Sequence, residues 1–153
     1  MDKRIVYTRA DGGCSIVTPA PNGKRPGEND AAFLARLIAG LPADTKDVCV
    51  VNVNAIPVDR TFRDAWRNNG SGKPEVDMSA ARELWRDRMR AARVPKLAAL
   101  DVEYQRADET GDTARKADVA RRKQVLRDVT ADPRIEAAAT PDELKAVWPE
   151  VLA

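Results

Sequence analysis

The side chains of this sequence that could carry chemistry are two cysteines, a few close carboxylate pairs and one glycine-rich loop. The 153 residues contain no histidine, which excludes Ser-His-Asp and Cys-His nucleophile systems and a His-ligated metal centre. The pairs Asp101/Glu103 and Asp108/Glu109 lie in or beside helical runs, where such close neighbours do not share a face. We therefore expect a protein without enzymatic activity.

Metal binding and disulfide formation both depend on Cys14 and Cys49, which are far apart in the sequence and form no Cys-x-x-Cys pair. A zinc ion takes about four ligands from Cys, His or carboxylate groups, and the sequence offers no cluster of that kind. We expect no metal and no cofactor. The two thiols are predicted to lie half-buried in strands, with a disulfide between them as the alternative.

The loop at 70–73, Gly-Ser-Gly-Lys, is similar to the end of a phosphate-binding P-loop. The full motif, GxxxxGK[ST], would need glycine where the sequence has Arg67 and serine or threonine where it has Pro74. A P-loop also connects a strand to the start of a helix, and that context is not predicted here. We expect no nucleotide site.

Basic side chains are concentrated in the segment 82–96, which contains six of them against two acids, Glu83 and Asp87. Such a face could contact phosphates or an acidic protein surface, whereas interleaved acids at helical spacing form ordinary solvated ion pairs. The whole chain has a net charge of only +2, which argues against a general nucleic-acid binder. The candidate partner contacts on this face are Arg82, Arg86, Arg90 and Arg93.

Two aromatic residues four apart, Phe62 and Trp66, precede the segment 68–74, whose Asn, Gly and Ser residues indicate a flexible loop. Aromatic side chains often anchor protein interfaces. The alternative is that they tether their segment to the core. Because a mobile loop follows them, we add Phe62 and Trp66 to the candidate partner contacts.

The N-terminal third has the pattern of two strands, a helix and a third strand. Two β-rich runs flank Asp11-Gly12-Gly13, which predicts a hairpin over 4–18. A helical apolar spacing begins after Asn29-Asp30 and stops at Gly40. The β-branched run at 47–53 predicts a strand that is buried on at least one face. We expect the three short strands and the single helix to make a small sheet with one covered face.

The composition changes after the loop, because residues 79–131 are rich in Ala, Arg, Glu, Leu and Lys, which favour helix. Gly111 and Asp112 separate two helical runs and predict a helical hairpin. Pro95 either kinks the first arm or opens a second helix within it. The capping box that begins at Thr140 predicts a final short helix.

Apolar residues mark the faces of the two arms that are predicted to be buried. A single helix over 79–109 would be about 46 Å long, which exceeds the size of a small globule, so it would need something to pack against. The stripe on the first arm is Ala81, Leu84, Trp85, Met89, Ala92, Leu97, Leu100 and Tyr104, and that on the second is Ala117, Ala120, Val125, Leu126 and Val129.

These elements predict an α+β protein with three parts. Residues 1–57 form a small ββαβ module, 58–78 connect, and 79–153 form a long helical hairpin with a short C-terminal helix. Aromatic residues are only 5% of the chain and alanine is abundant, so the core is thin and partners or self-association are expected to supply part of the burial. No apolar run approaches the ~18 residues of a membrane span, and the first residues lack a signal-peptide pattern.

Four parts of the sequence stand out together: Arg4–Thr8 with Asp11–Gly13, Asp59–Trp66, Leu100–Asp108, and Gln124–Asp128 followed by Leu144–Pro149. Together they resemble small proteins of tailed bacteriophages and prophages, often encoded near tail-fibre genes, and the closing pattern resembles phage tail assembly chaperone-like proteins. The resemblance spans most of the chain and brings no catalytic signature. What it implies is a virion or assembly role made by protein–protein contact.

The function expected from the sequence is therefore a non-enzymatic structural protein of the phage tail region. It would be synthesised in the bacterial host cytoplasm, lie in the virion tail, and bind fibre or adaptor proteins, in several copies or as a homo-oligomer. One alternative is a transient assembly chaperone that is absent from the mature virion. A second is nucleic-acid contact through the basic face at 82–96. No membrane association is expected.

Overall fold

The computed structural model describes residues 2–153, which form two compact units, 2–77 and 78–153. The first unit contains the strands and one helix, and the second is helical, so the protein is α+β as predicted. Of the predicted connection, 58–78, all but the last residue belongs to the first unit. It does so because it places buried side chains there, including Phe62, Ala65 and Trp66.

The predicted hairpin and third strand form one sheet in the first unit. Strands β1 (Lys3–Thr8), β2 (Cys14–Val17) and β3 (Lys46–Asn52) have the order β2-β1-β3, and β1 is antiparallel to both neighbours. The hairpin turn closes as expected, because the Asp11 carboxylate accepts a hydrogen bond of 2.8 Å from the Gly13 backbone N–H. Gly12 adopts the positive φ of 78° that the turn requires.

The predicted helix is α1 (Asp30–Ala39), and of the two candidate caps, Asn29 and Asp30, the N-cap is Asn29. Asn29 Oδ1 accepts a hydrogen bond of 2.9 Å from Ala32 N, which satisfies one of the free N–H groups of the first turn. The irregular segment before the helix is tied to it by Arg36, which donates 2.7–2.8 Å hydrogen bonds to both oxygens of Glu28 and another to Gly23 O. These bonds fix the chain direction at the start of α1.

The central strand is covered on both faces, although the sequence indicated one covered face. Ile5 and Val6 are successive residues of β1, so they point to opposite sides of the sheet, and both are fully buried. On the Val6 side the cover consists of Ile56 and Trp66. Trp66 begins the two-residue strand β4 (Trp66–Arg67), which pairs with β5 (Glu75–Val76).

The loop between β4 and β5, predicted to be flexible, packs closely against β3. Asn68 is buried, and its Nδ2 donates a 2.7 Å hydrogen bond to Asp47 O. Gly72 lies so near β3 that a Cβ there would come within 2.5 Å of Val51 Cγ1 and 2.9 Å of Cys49 Cβ. The loop is therefore part of the sheet's cover, and its second glycine serves a close backbone approach.

The two cysteines do not form a disulfide in the structure. Cys14 lies on β2 and Cys49 on β3, with β1 between them. Two inter-strand spacings of about 4.8 Å separate the outer strands, and a disulfide needs Cα atoms closer than about 7 Å. Both thiols are half-buried, as predicted, and burial raises the pKa of Cys14.

The first arm of the hairpin is one helix, α2 (Met78–Glu109), which continues through Pro95. A proline inside a helix lacks the N–H that would bond to the carbonyl four residues earlier, here that of Ala91. Both residues lie on an exposed face, so water meets the freed carbonyl. Of the two alternatives for Pro95, a separate second helix is therefore wrong.

The second arm is α3 (Thr113–Asp128), and the turn before it forms as predicted. Gly111 has φ of 68°, and Asp112 Oδ1 accepts a hydrogen bond of 2.9 Å from Arg115 N. The buried residues of α3 are Val119 and Leu126, whereas Val125, expected in the core, is 50% exposed. The buried face is thus rotated relative to the predicted stripe.

The chain then returns along α2, so the long helix packs on its own C-terminal segment. This segment contains α4 (Pro133–Ala137), which was not predicted, and α5 (Pro141–Ala146), which begins at the expected Thr140 capping box. Trp85 of α2 donates a 2.8 Å hydrogen bond from Nε1 to Val147 O, and its ring meets Trp148 edge-on at 5.1 Å.

Replacing Gly72 by alanine tests the docking of the β4–β5 loop. Gly70→Ala is the control, because Gly70 also has a positive φ, of 81°, but nothing lies within 4 Å of its Cβ position. The positive φ costs about 1 kcal/mol in either variant, and crowding against β3 adds about 1–3 kcal/mol only in Gly72→Ala. Hydrogen exchange of the β1 amides measures the difference, and equal protection in both variants would contradict the close packing.

The pH dependence of the first unit should depend on Glu28. Hydrogen bonds from Arg36 lower the pKa of Glu28 from 4.5 to about 2, so the pair stabilises the folded state above pH 4.5 and its contribution disappears as pH falls toward 2. The melting-temperature difference between the native chain and Glu28→Gln should therefore be largest near pH 6 and shrink by pH 2.5. Asp44→Asn, at an exposed loop acid, should show no such convergence.

Candidate functional site

The aromatic candidates, Phe62 and Trp66, are core residues in the structure. Their exposed fractions are 2% and 1%, so neither presents a surface to a partner, and this part of the prediction is wrong. The loop after them is docked on β3 and therefore does not expose them. Trp66 Nε1 is buried without a hydrogen-bond partner among residues 2–153, a cost that the ring's packing on Val6 and Ile56 offsets.

Two arginines of the basic face bind carbonyls of the returning segment. Arg82 donates from Nε to Ile135 O at 3.1 Å and from Nη2 to Ala138 O at 2.9 Å. Arg86 donates from Nε to Thr130 O at 3.4 Å. Carbonyls near the C-terminal end of a helix lack intrahelical partners and carry partial negative charge. The guanidinium groups supply the missing donors at α4 and at the turn before it.

Carboxylates complete the environment of Arg86, whose side chain is 16% exposed. It forms ion pairs with Glu83 on its own helix and with Glu136 on α4. The hydrogen bond from Arg86 lowers the pKa of Glu136. Arg86 therefore holds α2 and α4 together, and its charge is already compensated.

The other two predicted contacts differ from each other. Arg93 Nη1 donates a 2.9 Å hydrogen bond to Arg127 O near the end of α3, so it acts like Arg82. Arg90 is 45% exposed and pairs with Asp87 at 2.5 Å, one turn away on the same helix. Of the four arginines, Arg90 alone makes only a local surface pair, and the other three hold the second unit together.

Two residues of the basic run at 121–123 are likewise paired with the first arm. Arg122 pairs with Glu103 at 3.1 Å, and Lys123 pairs with Asp101. The Lys123 ammonium also lies 5.0 Å from the ring centroid of Tyr104, a cation–π distance. Of the carboxylates considered above as possible acid–base groups, Asp101, Glu103 and Asp108 are thus engaged in ion pairs between α2 and α3.

An open apolar groove of about 360 Å³ lies beside this α2–α3 contact, at Val151. Its apolar walls include Leu100, Val125 and Val151, and Val125 and Val151 also border an adjoining depression of about 520 Å³. Sequence reasoning missed this groove, because valine at 125 fits the helical spacing of the core. The signal available was that a buried face through Val119 and Leu126, which are seven residues apart, fits the helical spacing equally well. The residues that line the groove are Lys96, Ala99, Leu100, Glu103, Arg122, Val125, Leu126 and Val151.

A second concave site lies in the first unit and was also not predicted. It is a cavity of about 590 Å³ that three arginines border, one on β1 and two in the segment that follows β3. Thr18 and Asn54 contribute neutral polar groups. The lining residues are Arg4, Ile16, Thr18, Val53, Asn54, Ile56, Pro57, Val58, Arg60 and Arg63.

Comparison with protein-family models, with curated proteins and with solved structures finds no match to this chain. Between Asp2 and Ala153, no helix has both the length and the apolar character needed to cross a membrane. The same residues contain no group of three or more cysteines and carboxylates arranged to hold a metal ion.

Arg82→Lys tests whether the arginines of α2 hold the second unit together. One ammonium replaces a planar group that reaches two separate carbonyls, so we expect a loss of about 1–2 kcal/mol of unfolding free energy. Arg90→Lys, at the local surface pair, should cost less than about 0.5 kcal/mol. Urea unfolding followed by far-UV circular dichroism measures both, and equal losses would contradict the assignment.

Proposed function

We propose that this chain is a non-enzymatic structural protein of the phage tail region that binds other tail proteins, such as fibre or adaptor proteins, within the virion. The phage context comes from the sequence resemblance. The observation that supports binding of a protein is the apolar groove of the second unit, with Val125 half exposed in its lining. A partner that covers the groove would bury apolar surface that the fold itself leaves exposed.

The chemistry of the groove suits an apolar side chain of a partner protein. Val125 and Val151 are 50% and 38% exposed, and each Å² of apolar surface removed from water contributes about 25 cal/mol. Lys96, Glu103 and Arg122 also line the groove. Since Glu103 already pairs with Arg122, an apolar anchor can enter without leaving a new unpaired charge.

The α2 arginines support protein contact over nucleic-acid contact. Phosphate binding draws on free guanidinium groups, and those of Arg82, Arg86 and Arg93 already donate to carbonyls of the same unit. Releasing them would break the contacts that position the returning segment. The second unit is therefore proposed to bind a protein through its groove rather than a nucleic acid through its basic face.

Val125→Asp tests the groove in assembled particles. A charge at the groove should reduce incorporation of the chain into purified phage particles at least tenfold, because burying an unpaired carboxylate is costly. Val94→Asp is the matched control, since Val94 is 61% exposed on α2 and does not line the groove. Quantitative mass spectrometry counts copies against the portal protein, and circular dichroism verifies that both variants fold.

The same count tests the proposed role itself. A structural protein should be present at a fixed whole-number ratio that matches the symmetry of the tail. If the native chain is absent from particles but present in assembly intermediates, the proposal fails and the transient chaperone takes its place. If it is present in neither, the phage assignment fails as well.

A further inference from the structure

The cavity of the first unit has an unusual charge balance. Three of its lining residues are arginines, and no acidic side chain lines it. Within residues 2–153, no carboxylate lies within 4.0 Å of the guanidinium groups of Arg4, Arg60 or Arg63. Within the described chain, the cavity arginines thus form a cluster of positive charge without an ion-pair partner.

The acids nearest in sequence do not line the cavity. Asp59 precedes Arg60, and its Oδ1 accepts a 2.8 Å hydrogen bond from the Thr61 backbone N–H. Asp64 follows Arg63 and does not line the cavity. One N–H of the Arg4 guanidinium donates to Lys3 O at 2.8 Å, and the group has further N–H donors for a ligand. Like charges around one concavity repel each other, and an anion placed among them relieves that repulsion.

The backbone that carries these arginines is held in place by the core. Arg4 lies on β1, the central strand of the sheet. Arg60 and Arg63 stand at the two ends of a turn closed by a 3.1 Å hydrogen bond from Arg63 N to Arg60 O. Phe62, within that turn, is almost fully buried. The cationic groups therefore start from fixed points, which lowers the entropy cost of binding.

The rest of the lining is apolar. Ile16 and Ile56 belong to the hydrophobic cluster of Trp66 and also line the cavity. Val58 is 97% exposed and lines the same cavity, so it is an apolar side chain that the fold itself leaves uncovered. The volume of about 590 Å³ falls in the range of small-molecule pockets, about 300–1,000 Å³.

We propose that this cavity binds a small ligand that joins an oxyanion, either a phosphate monoester or a carboxylate, to a compact apolar body. The guanidinium groups would hold the oxyanion through their planar pairs of N–H donors, with the Thr18 hydroxyl as a further donor. Ile16, Ile56 and Val58 would cover the apolar part. The site lies in the first unit and does not depend on the groove or on the phage-tail proposal.

The experiment is a titration of the full chain followed by ¹H–¹⁵N NMR, with four probes. Phenyl phosphate and benzoate carry the two oxyanions on an apolar ring, inorganic phosphate lacks the ring, and benzyl alcohol lacks the charge. We expect saturable shifts at the amides of Ile16, Thr18 and Asn54 for at least one ring-bearing anion, with a Kd of about 1 mM or tighter. Which anion binds identifies the source of the oxyanion. Benzyl alcohol should produce no saturable shift.

Two variants and one control assign the effect to the cavity. Arg60→Gln and Arg63→Gln should each weaken binding about tenfold, since each removes charge-assisted hydrogen bonds to the ligand. Arg25→Gln removes the same charge from an exposed site of the first unit that does not line the cavity, and it should leave Kd unchanged. Shift spectra without ligand verify that all three variants keep the fold.

Three results would overturn the proposal. The first is the absence of saturable shifts from both ring-bearing anions. The second is equal affinity for inorganic phosphate and phenyl phosphate, because the apolar lining would then contribute nothing. The third is an equal loss of affinity in Arg25→Gln, since binding would then follow net charge and not the cavity.

Discussion

The second unit depends on hydrogen bonds from long α2 side chains to backbone carbonyls of the segment that returns along the helix. The C-terminal carbonyls of a helix have no partners within it, and α4, with five residues, is too short to be stable alone. Arg82 supplies donors to two such carbonyls, and Trp85 supplies one to Val147. The polar side chains of one long helix thereby position several short helical segments.

The first unit has few bulky apolar side chains, and its irregular segments are also held by polar side chains bonded to backbone carbonyls. Three short strands could not bury both faces of β1 alone. The segment after β3 supplies Ile56 and Trp66 to the sheet, and Asn68 then holds the loop by donating to Asp47 O. In both units a few large side chains provide the burial, and polar side chains bonded to backbone carbonyls set the position of irregular chain.

The sequence predicted those parts of the fold that depend on short-range signals. Asn29, Asp112 and the Thr140 capping box each begin a helix where expected, because a cap acts within three residues. The burial of Trp66, the docking of the β4–β5 loop and the helix α4 were not predicted. They depend on contacts between distant segments or, for α4, on a run too short to show periodicity.

The two sets of arginines differ in the property that matters for binding. The run on α2 draws attention because it is dense in sequence, yet its arginines pair with nearby carboxylates or donate to backbone carbonyls, so many of its donors are already engaged within the fold. Arg4 is far in sequence from Arg60 and Arg63, so these three arginines form no conspicuous basic run. The topology brings them to one cavity without an acid. Density along the chain therefore measures how much charge a segment carries, whereas the pairing in the folded state determines which of that charge remains available to a ligand.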